Sequence, residues 1–252
     1  MLTNQDFDWT GAHTIKVYKV TTSGMNDYDR AGAGAGSRYG TVGNLGATTE
    51  EFTITKDRSF TFAIDKLDVD ETAQQLQAAS ALARQGREVV IPEVDAYVYG
   101  KMCTGAGTTP AALELTSTNI YDEIIKANKV LDDAEVHETG RILVVTPATY
   151  ILMKKCADII METDVGNDLR LKGVIGMIDG VNVMKVPAVR LPAKFGFMLA
   201  HPCATVAPTK LEDYKVHEDP PGISGSLVEG RICYDAFVLD NKADALYYQA
   251  IV

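Results

Sequence analysis

The glycines at Gly32, Gly34 and Gly36 are the first feature of this chain that could do chemistry, as a phosphate-binding loop. A dinucleotide-binding fingerprint needs the spacing G-x-G-x-x-G, placed between a strand and a helix. Here Ser37, Arg38 and Tyr39 follow, so that Gly40 comes one position late, and no helical pattern succeeds it. A second candidate, Gly105-Ala-Gly107, lacks both a third glycine and a lysine. We therefore predict loops at both places and no nucleotide site.

Histidine and cysteine, the usual metal ligands and catalytic side chains, are scattered along the chain. They do not form the close spacings of a zinc site, and the absence of a C-x-x-C pair argues against a disulfide framework, so a reduced cytoplasmic setting is expected. The residues concerned are His13, His137, His201, His217, Cys103, Cys156, Cys203 and Cys233.

Two further short patterns have simpler structural explanations. Gly222-Ile-Ser224-Gly225 lacks the final spacing of G-x-S-x-G and precedes a predicted strand, whereas a nucleophile elbow precedes a helix. The acids Asp65, Asp68 and Asp70 lack the glycine and distal glutamate of a calcium loop, and helix capping explains them. We predict no catalytic, cofactor-binding or metal-binding residue.

Composition sets limits on the partners of this chain. The sequence has 252 residues and a formal net charge of −10, with Lys and Arg interleaved among acids. A chain without a basic patch repels a nucleic-acid backbone, so sequence-specific binding of DNA or RNA is not expected. No apolar run reaches the roughly 18 residues that a bilayer span requires.

The first third of the chain predicts a long hairpin. Residues 13–20 are rich in β-branched and aromatic types, and residues 59–64 alternate apolar and polar side chains. Between Gly24 and Gly46 lie seven glycines and almost no core-forming residue. We predict that the two strands pair, with the glycine-rich segment 24–46 at the tip and Trp9 as a packing anchor at the base. A hairpin of this kind cannot bury itself and needs a partner surface.

Residues 70–103 predict a long helix. Asp68 and Glu71 match a capping box, and Pro92 is expected to break or kink the helix. The apolar positions expected to be buried are Leu76, Leu82, Val94 and Val98. A helix of about 30 residues spans roughly 45 Å, which suggests a spine.

The remainder predicts a small α/β unit followed by closing strands. The predicted elements are an amphipathic helix on Ile120, Ile124, Ala127 and Leu131 capped near Thr118 or Asn119, a strand at 142–145, a helix opened by Thr146 and Pro147, a hairpin turning at Asp179-Gly180, and extended runs at 227–239 and 245–252.

This order of parts, with its local sequence, resembles the major capsid proteins of tailed bacteriophages that have the HK97-type fold. The segments that carry the resemblance are 59–65 (SFTFAID), 89–97 (VVIPEVDAY), 144–147 (VVTP), 173–180 (GVIGMIDG) and 234–240 (YDAFVLD). The resemblance covers nearly the whole chain, from about Trp9 to Val252, and is closest to coat proteins of siphophages and prophages.

The resemblance implies an α+β fold divided into the parts of an HK97-type subunit. These are a short N-terminal arm remnant (1–9), an extended E-loop hairpin (10–65), a peripheral P-domain with the spine helix (66–116), an axial A-domain (117–210), and closing strands that belong mainly to the P-domain (211–252). Family members usually carry a longer arm before the E-loop, so here the arm has been removed or the member is minimal.

The implied function is a structural coat protein that assembles into an icosahedral shell around phage double-stranded DNA. Its main partner is itself, in pentamers and hexamers, with scaffold, portal or decoration proteins as further partners and DNA bound only non-specifically. The expected location is the virion capsid, assembled in the cytoplasm of a bacterial host. The residues assigned to the interface lie at the hairpin tip: Arg30, Gly32, Gly34, Gly36, Arg38 and Tyr39.

Two alternatives stay open. An encapsulin-like compartment has the same fold and encloses cargo enzymes. A small α/β enzyme would instead use the glycine-rich segment as a lid. The lysine and asparagine that join subunits covalently in some family members cannot be placed, because no lysine lies between Lys19 and Lys56.

Overall fold

The computed structural model describes residues 2–4, 14–20, 22–32, 38–40, 44–71, 77–156, 159 and 176–252. Its contacts divide the chain into two compact units. One, the hairpin unit, is Ala12–Thr53, and the other, the body, comprises Met1–Gly11 and Ile54–Val252. The predicted anchor Trp9 lies outside the described residues.

Strands and helices alternate through the body in a mixed arrangement, which confirms the expected α+β class. The described strands are β1 (Thr14–Val20), β2 (Ala47–Thr53), β3 (Lys56–Asp65), β4 (Ile142–Val145), β5 (Met177–Ile178), β6 (Val181–Lys185), β7 (Phe195–Ala200), β8 (Thr205–Val206), β9 (Thr209–Glu218), β10 (Gly225–Tyr234), β11 (Phe237–Val238) and β12 (Leu246–Ala250). The described α-helices are α1 (Lys66–Glu71), α2 (Ala78–Gln85), α3 (Ile91–Thr104), α4 (Ile120–Asp133) and α5 (Pro147–Lys155).

The hairpin unit contains an antiparallel ladder of β1 and β2, in which Thr14 lies opposite Thr53 and Val20 opposite Ala47. The expected partner of the first strand, residues 59–64, is therefore wrong. Those residues belong to β3, which pairs with β10 in the body. The alternation of side chains correctly predicts a strand, but it carries no information on which strand lies next to it.

Three long antiparallel strands form a sheet with the order β3-β10-β9. On the face that packs towards the helices, Ile64 and Val228 are buried and Phe60 and Phe62 are half-buried. The opposite face carries charged side chains, including the ion pair of Asp57 with Arg231 at 2.5 Å. This division follows from the period of two in a strand, with apolar positions on one side.

A long helical stretch crosses the body next to this sheet. Helix α2, a π-helical segment at Gly86–Val90 and α3 follow one another from residue 78 to residue 104, about 40 Å at 1.5 Å per residue. Pro92 lies in the first turn of α3 and the helical stretch continues through it, so the expected break is wrong, while the alternative of a kink stays a prediction. The π-helical segment directly precedes it, where the backbone hydrogen-bond spacing widens.

The burial of this stretch differs from the prediction. Leu82, Val94 and Val98 are only half-buried in the single chain, and Leu76 lies outside the described residues. Leu82 and Val94 line a groove between the helix and the three-stranded sheet, which leaves them partly open. Full burial occurs instead at Met102, whose side chain packs into the core of the neighbouring sheet.

The start of the helical region is capped one turn earlier than expected. Asp65 Oδ1 accepts a hydrogen bond from the backbone N–H of Leu67 at 2.8 Å. Asp68 and Glu71 lie inside α1, so the predicted capping box is wrong. A carboxylate at the last strand residue can satisfy a free N–H of the first helical turn equally well.

The second sheet has the order β12-β7-β4-β6-β5, and β4 and β6 are its parallel pair. Alternate residues of β4 face two different cores, one beneath α4 and α5 and the other beneath α3. The predicted stripe of α4 is confirmed, because Ile120, Ile124, Ala127 and Leu131 are completely buried. The 142–145 strand is likewise confirmed.

Local turn and cap chemistry also follows the prediction. Thr146 Oγ1 accepts a hydrogen bond from the backbone N–H of Thr149 at 3.1 Å and caps α5, with Pro147 in its first turn. Strands β5 and β6 turn at Asp179 and Gly180, which have φ values of 46° and 74°. Positive φ at both central residues is the mark of a tight hairpin turn.

The closing strands are divided among three sheets, because β11 pairs with β8 in a two-stranded sheet of their own. Strands β9 and β10 lie in the three-stranded sheet, whereas β12 pairs with β7 in the five-stranded sheet. Residues 211–252 therefore do not all pack in the sheet next to the long helix, because β12 pairs with a strand of the five-stranded sheet. Among the described residues, no helix is both long and apolar enough to cross a membrane.

Candidate assembly surface

The glycine-rich segment is the part of the hairpin unit to which the interface was assigned. Arg30, Gly32, Arg38 and Tyr39 are described and all of them are exposed, whereas Gly34 and Gly36 lie outside the described residues. The backbone segments around Asp29 and Arg38 are in contact here, because the N–H of Asp29 donates to the carbonyl oxygen of Arg38 at 3.0 Å. The structure thus brings the two arginine-bearing sides of the segment together.

An aspartate organises the turn at Arg30. Asp29 Oδ1 accepts hydrogen bonds from the N–H groups of Ala31 at 2.9 Å and Gly32 at 3.1 Å. On the opposite side, Asn26 Nδ2 donates to the carbonyl oxygen of Tyr39 at 3.4 Å. Side chains of Asn and Asp that bond to nearby backbone groups are the normal means of shaping a turn.

Large apolar side chains on this segment face solvent in the single chain. Met25 is fully exposed, and Tyr39 retains 77% of its accessible surface. Tyr28 packs edge-on against Tyr39, with ring centroids 5.1 Å apart, and Leu45 is also exposed. Exposed apolar groups concentrated in one segment are typical of a surface that another molecule covers. The glycines and arginines of this segment were predicted from the sequence to be interface residues, whereas Met25 and Leu45 were not.

A second apolar surface lies along the long helical stretch. A groove of about 350 Å³ between α2, α3 and the three-stranded sheet is lined by Leu82, Ile91, Val94, Tyr214 and Ile232. A smaller groove of about 160 Å³ on the other side of the helix contains Val89 and Tyr234, with Arg58 and Glu93 paired at 2.7 Å on its rim. The alternation of Phe60, Phe62 and Ile64 predicted one apolar face, but only the fold shows how incompletely the helix covers it.

The second glycine loop has no room for a phosphate. A Cβ atom added to Gly107 would lie 2.7 Å from the backbone of Ala243, because the two chain segments are in direct contact. The loop also follows α3 instead of preceding a helix, since α4 begins only at Ile120. Packing, not ligand binding, explains the glycine.

The described histidines are involved in structural contacts. The two ring nitrogens of His201 contact the carbonyl oxygen of Thr139 and the N–H of Cys203, each at 3.2 Å. Burial lowers the pKa of His201, although the contact with Thr139 opposes this shift. His217 lies 3.3 Å from Glu229 on the exposed sheet face. His13 lies outside the described residues.

Ser224 and the cysteines are not arranged as nucleophiles. Ser224 lies in the turn between β9 and β10, and its carbonyl oxygen accepts a hydrogen bond from the N–H of Lys66 at 3.1 Å. Burial raises the pKa of Cys103 to about 12 and also raises the pKa of Cys203. A buried thiol with a raised pKa is a poor nucleophile. All four cysteines are free.

Within the described part of the chain, no group of three or more His, Cys, Asp or Glu side chains is placed to hold a metal ion. Asp235 is a buried acid that accepts four hydrogen bonds, and the sequence pattern did not single it out. The sequence gives little signal for this burial, since an Asp between Tyr234 and Ala236 matches no pattern of buried residues. Asp235, which follows β10, is 2% exposed and joins Thr55, just before β3, to Tyr97 of α3.

The whole fold is similar to solved structures from phages. A structure from Mycobacterium phage Che8 is 18% identical, with a TM-score of 0.78, over 98% of this chain and 89% of that chain. The capsid structure of cyanophage P-SCSP1u is 14% identical, with a TM-score of 0.77, over 96% and 84% of the two chains. A chain of the mature capsid of bacteriophage PhiM1 is 12% identical, with a TM-score of 0.70, over 100% and 84%.

No family model matches the sequence, and no curated protein matches it. The fold, however, is that of phage capsid subunits along almost the entire chain, as the sequence resemblance to the HK97 type implied.

Proposed function

We propose that this chain is a major capsid protein, a structural subunit that self-assembles into an icosahedral shell around phage double-stranded DNA. The observation that carries the proposal is the likeness of 96–100% of the chain to two phage capsid chains. The role is mechanical and not catalytic. A shell role accounts for the exposed apolar side chains of the hairpin unit as contacts between copies, and it requires no active site.

The hairpin unit supports a role in contacts between subunits. A two-stranded ladder is at best marginally stable by itself in water. The unit nevertheless presents Met25, Tyr39 and Leu45 to solvent in the single chain. Covering these side chains with a neighbouring copy removes apolar surface from water at every subunit of a shell, and repeated weak contacts add up through multivalency.

We assign the parts of the HK97-type subunit accordingly. The hairpin unit, 12–53, corresponds to the E-loop, which is shorter than the expected 10–65 because β3 is paired within the body. The three-stranded sheet and the long helical stretch correspond to the P-domain and its spine. The five-stranded sheet with α4 and α5 corresponds to the axial A-domain of pentamers and hexamers.

Charge supports an enclosed DNA that is not bound specifically. The net charge of −10 disfavours tight attachment of the phosphate backbone, so packaged DNA is retained by the closed wall. Scaffold, portal and decoration proteins are further partners in this proposal. Assembly takes place in the cytoplasm of the bacterial host, and the final location is the virion capsid.

Electron microscopy of the purified protein tests the proposal. We expect closed icosahedral particles, and nuclease-protected double-stranded DNA in particles isolated from infected or induced cells. A particle filled with folded protein cargo and without DNA would instead identify an encapsulin-like compartment. A protein that stays monomeric at high concentration, with and without co-expressed scaffold, would contradict shell formation altogether.

A further inference from the structure

Asp235 is a buried carboxylate whose four hydrogen bonds come from three parts of the body. Its Oδ2 accepts from both the backbone N–H and the side-chain hydroxyl of Thr55, each at 2.8 Å. Its Oδ1 accepts from the hydroxyl of Tyr97 at 2.8 Å and from the N–H of Ala236 at 2.8 Å. A carboxylate accepts about four hydrogen bonds, so this one is fully satisfied.

The position of Thr55 gives this arrangement its meaning. The hairpin unit ends at Thr53, and Ile54, which is 2% exposed, is the single residue between them. Thr55 precedes β3 directly and makes two of the four bonds to Asp235. The point at which the chain passes from the hairpin unit into the body is therefore held by a buried charge.

Tyr97 connects the same charge to the long helical stretch. Its ring packs edge-on against Tyr234, with centroids 5.7 Å apart, and the ammonium groups of Lys56 and Lys101 lie 5.0 and 5.6 Å from its centroid. These contacts fix the ring in position, so the hydroxyl is held in line with Asp235. Hydrogen bonds to one buried charge strengthen or weaken one another, because they share a single acceptor group in a region of low dielectric.

We propose that Asp235 is a positioning residue that couples the exit of the chain from the hairpin unit, at Thr55, to the long helical stretch, at Tyr97. A force applied to the hairpin unit is then resisted by α3 as well as by the three-stranded sheet. This consequence for assembly rests on the proposed function, because it requires that a neighbouring copy binds the hairpin unit. The coupling itself is a property of the single chain.

Hydrogen exchange at Thr55 tests the coupling. In Tyr97→Phe the hydroxyl is removed from the far side of Asp235 while the ring contacts are kept. We expect the amide of Thr55 to exchange roughly fivefold faster, the size of effect found between residues that share a partner. The amide of Val228, in the middle of β10, is expected to keep its rate. Mass spectrometry with electron-transfer fragmentation separates the two amides.

Tyr99→Phe is the matched control. Tyr99 lies in the same helix, and its hydroxyl is directed at Met184 Sδ at 3.8 Å, away from Asp235. We expect it to leave Thr55 exchange within twofold of the wild type. If Tyr97→Phe leaves the Thr55 rate unchanged, or if both variants accelerate Thr55 and Val228 equally, Asp235 stabilises the body only generally and the coupling is refuted.

The same samples separate this inference from the proposed function. Wild-type protein that forms no shell, together with a faster Thr55 amide in Tyr97→Phe, would remove the proposed function and support the coupling. Normal shells of the wild type, together with an unchanged exchange rate of the Thr55 amide in Tyr97→Phe, would support the proposed function and refute the coupling.

Discussion

Arg141 Nη1 lies 2.7 Å from Asp132 Oδ1, and the arginine side chain is only 1% exposed while the aspartate is about half exposed. The guanidinium also donates to the carbonyl oxygens of Val136 and His137 and to the side chain of Asn128. A single buried cation therefore holds the connection between α4 and β4 in place.

We predict that Arg141→Ala destabilises the body by about 1–3 kcal/mol, the usual cost of leaving hydrogen-bonding groups without their partner. The reason is that the carbonyl oxygens of Val136 and His137 and the side chain of Asn128 lose their hydrogen bonds from Arg141, while the buried arginine side chain no longer fills its place. Urea unfolding measures the change. Arg84→Ala is the control, because Arg84 forms an exposed pair with Glu88 whose loss costs at most about 1 kcal/mol. Equal effects of the two variants would contradict the structural role of Arg141.

Removal of the hairpin tip should separate folding from assembly. Because Val20 lies opposite Ala47, replacing Gly24–Gly46 by one glycine leaves a short connection that suits the β1–β2 ladder. We expect a folded monomer whose melting temperature is nearly unchanged, since loop closure alters the stability by only about 1 kcal/mol. Shells should not form. Thermal melting and analytical sedimentation measure the two properties.

A full-length control shows whether apolar contact or loop length is responsible. Met25, Tyr28, Tyr39 and Leu45 are replaced together by serine, which keeps the length and removes the exposed apolar groups. We expect this variant also to remain monomeric. Normal shells from either protein would refute the role of the hairpin tip in assembly, whereas an unfolded monomer would mean that the tip is needed for folding.

Two positions of α3 should respond differently to a buried charge. Met102→Asp is expected to prevent folding, because Met102 is completely enclosed and an unpaired carboxylate there costs several kcal/mol. Val98→Asp should weaken the body but still yield soluble, folded protein, because Val98 is only half-buried. Circular dichroism and solubility after expression measure both. The reverse order would show that the helix lies in a different register.

The contribution of Asp235 should depend on pH. Burial would raise the pKa of Asp235, but the hydrogen bonds from Thr55, Ala236 and Tyr97 together hold it below its ordinary value. A carboxylate with a lowered folded pKa adds stability above its unfolded value, about 3.9, and this is lost as the pH falls through the folded value. We expect the stability gap between wild type and Asp235→Asn to be constant from about pH 7 to pH 5 and to shrink below about pH 4.

Urea midpoints measured across this pH range would give that gap. Asp219→Asn serves as the comparison, because Asp219 pairs with Lys66 on an exposed surface and its loss should matter little at any pH. A gap for Asp235→Asn that stays the same at pH 3 would contradict the assignment of the four bonds to a charged carboxylate.

Much of the local structure was predictable from the sequence, although the capping box expected at Asp68 and Glu71 was wrong. The stripe of α4, the cap at Thr146 and the turn at Asp179-Gly180 depend on residues within a few positions of one another. Strand pairings were not predictable, because the pattern of side chains in one strand does not specify which strand lies next to it. Ile64 lies opposite Ser226, more than a hundred residues away, and β1 pairs with β2, a strand that the sequence pattern did not indicate.

The candidate surface was predictable only in part. Glycine content placed the contact segment at 24–46, because a stretch without core-forming residues cannot fold on itself. Met25 and Leu45 were missed, since single apolar residues among glycines have no periodicity. Asp235 was missed because its burial depends on Thr55 and Tyr97, which approach it only after the sheet and the helix have packed together.

The π-helical segment Gly86–Val90 alters how the sequence of the long helix should be read. Leu82, Gly86, Val90 and Val94 recur at intervals of four and line one groove, although in an α-helix of 3.6 residues per turn such a row rotates by about 40° at each step. Over several steps it would wind off the side that faces the sheets. A wider turn advances less per residue and rotates the row in the opposite direction. Apolar residues that keep a fixed spacing of four on both sides of a glycine can therefore indicate one π-helical turn within a longer helix.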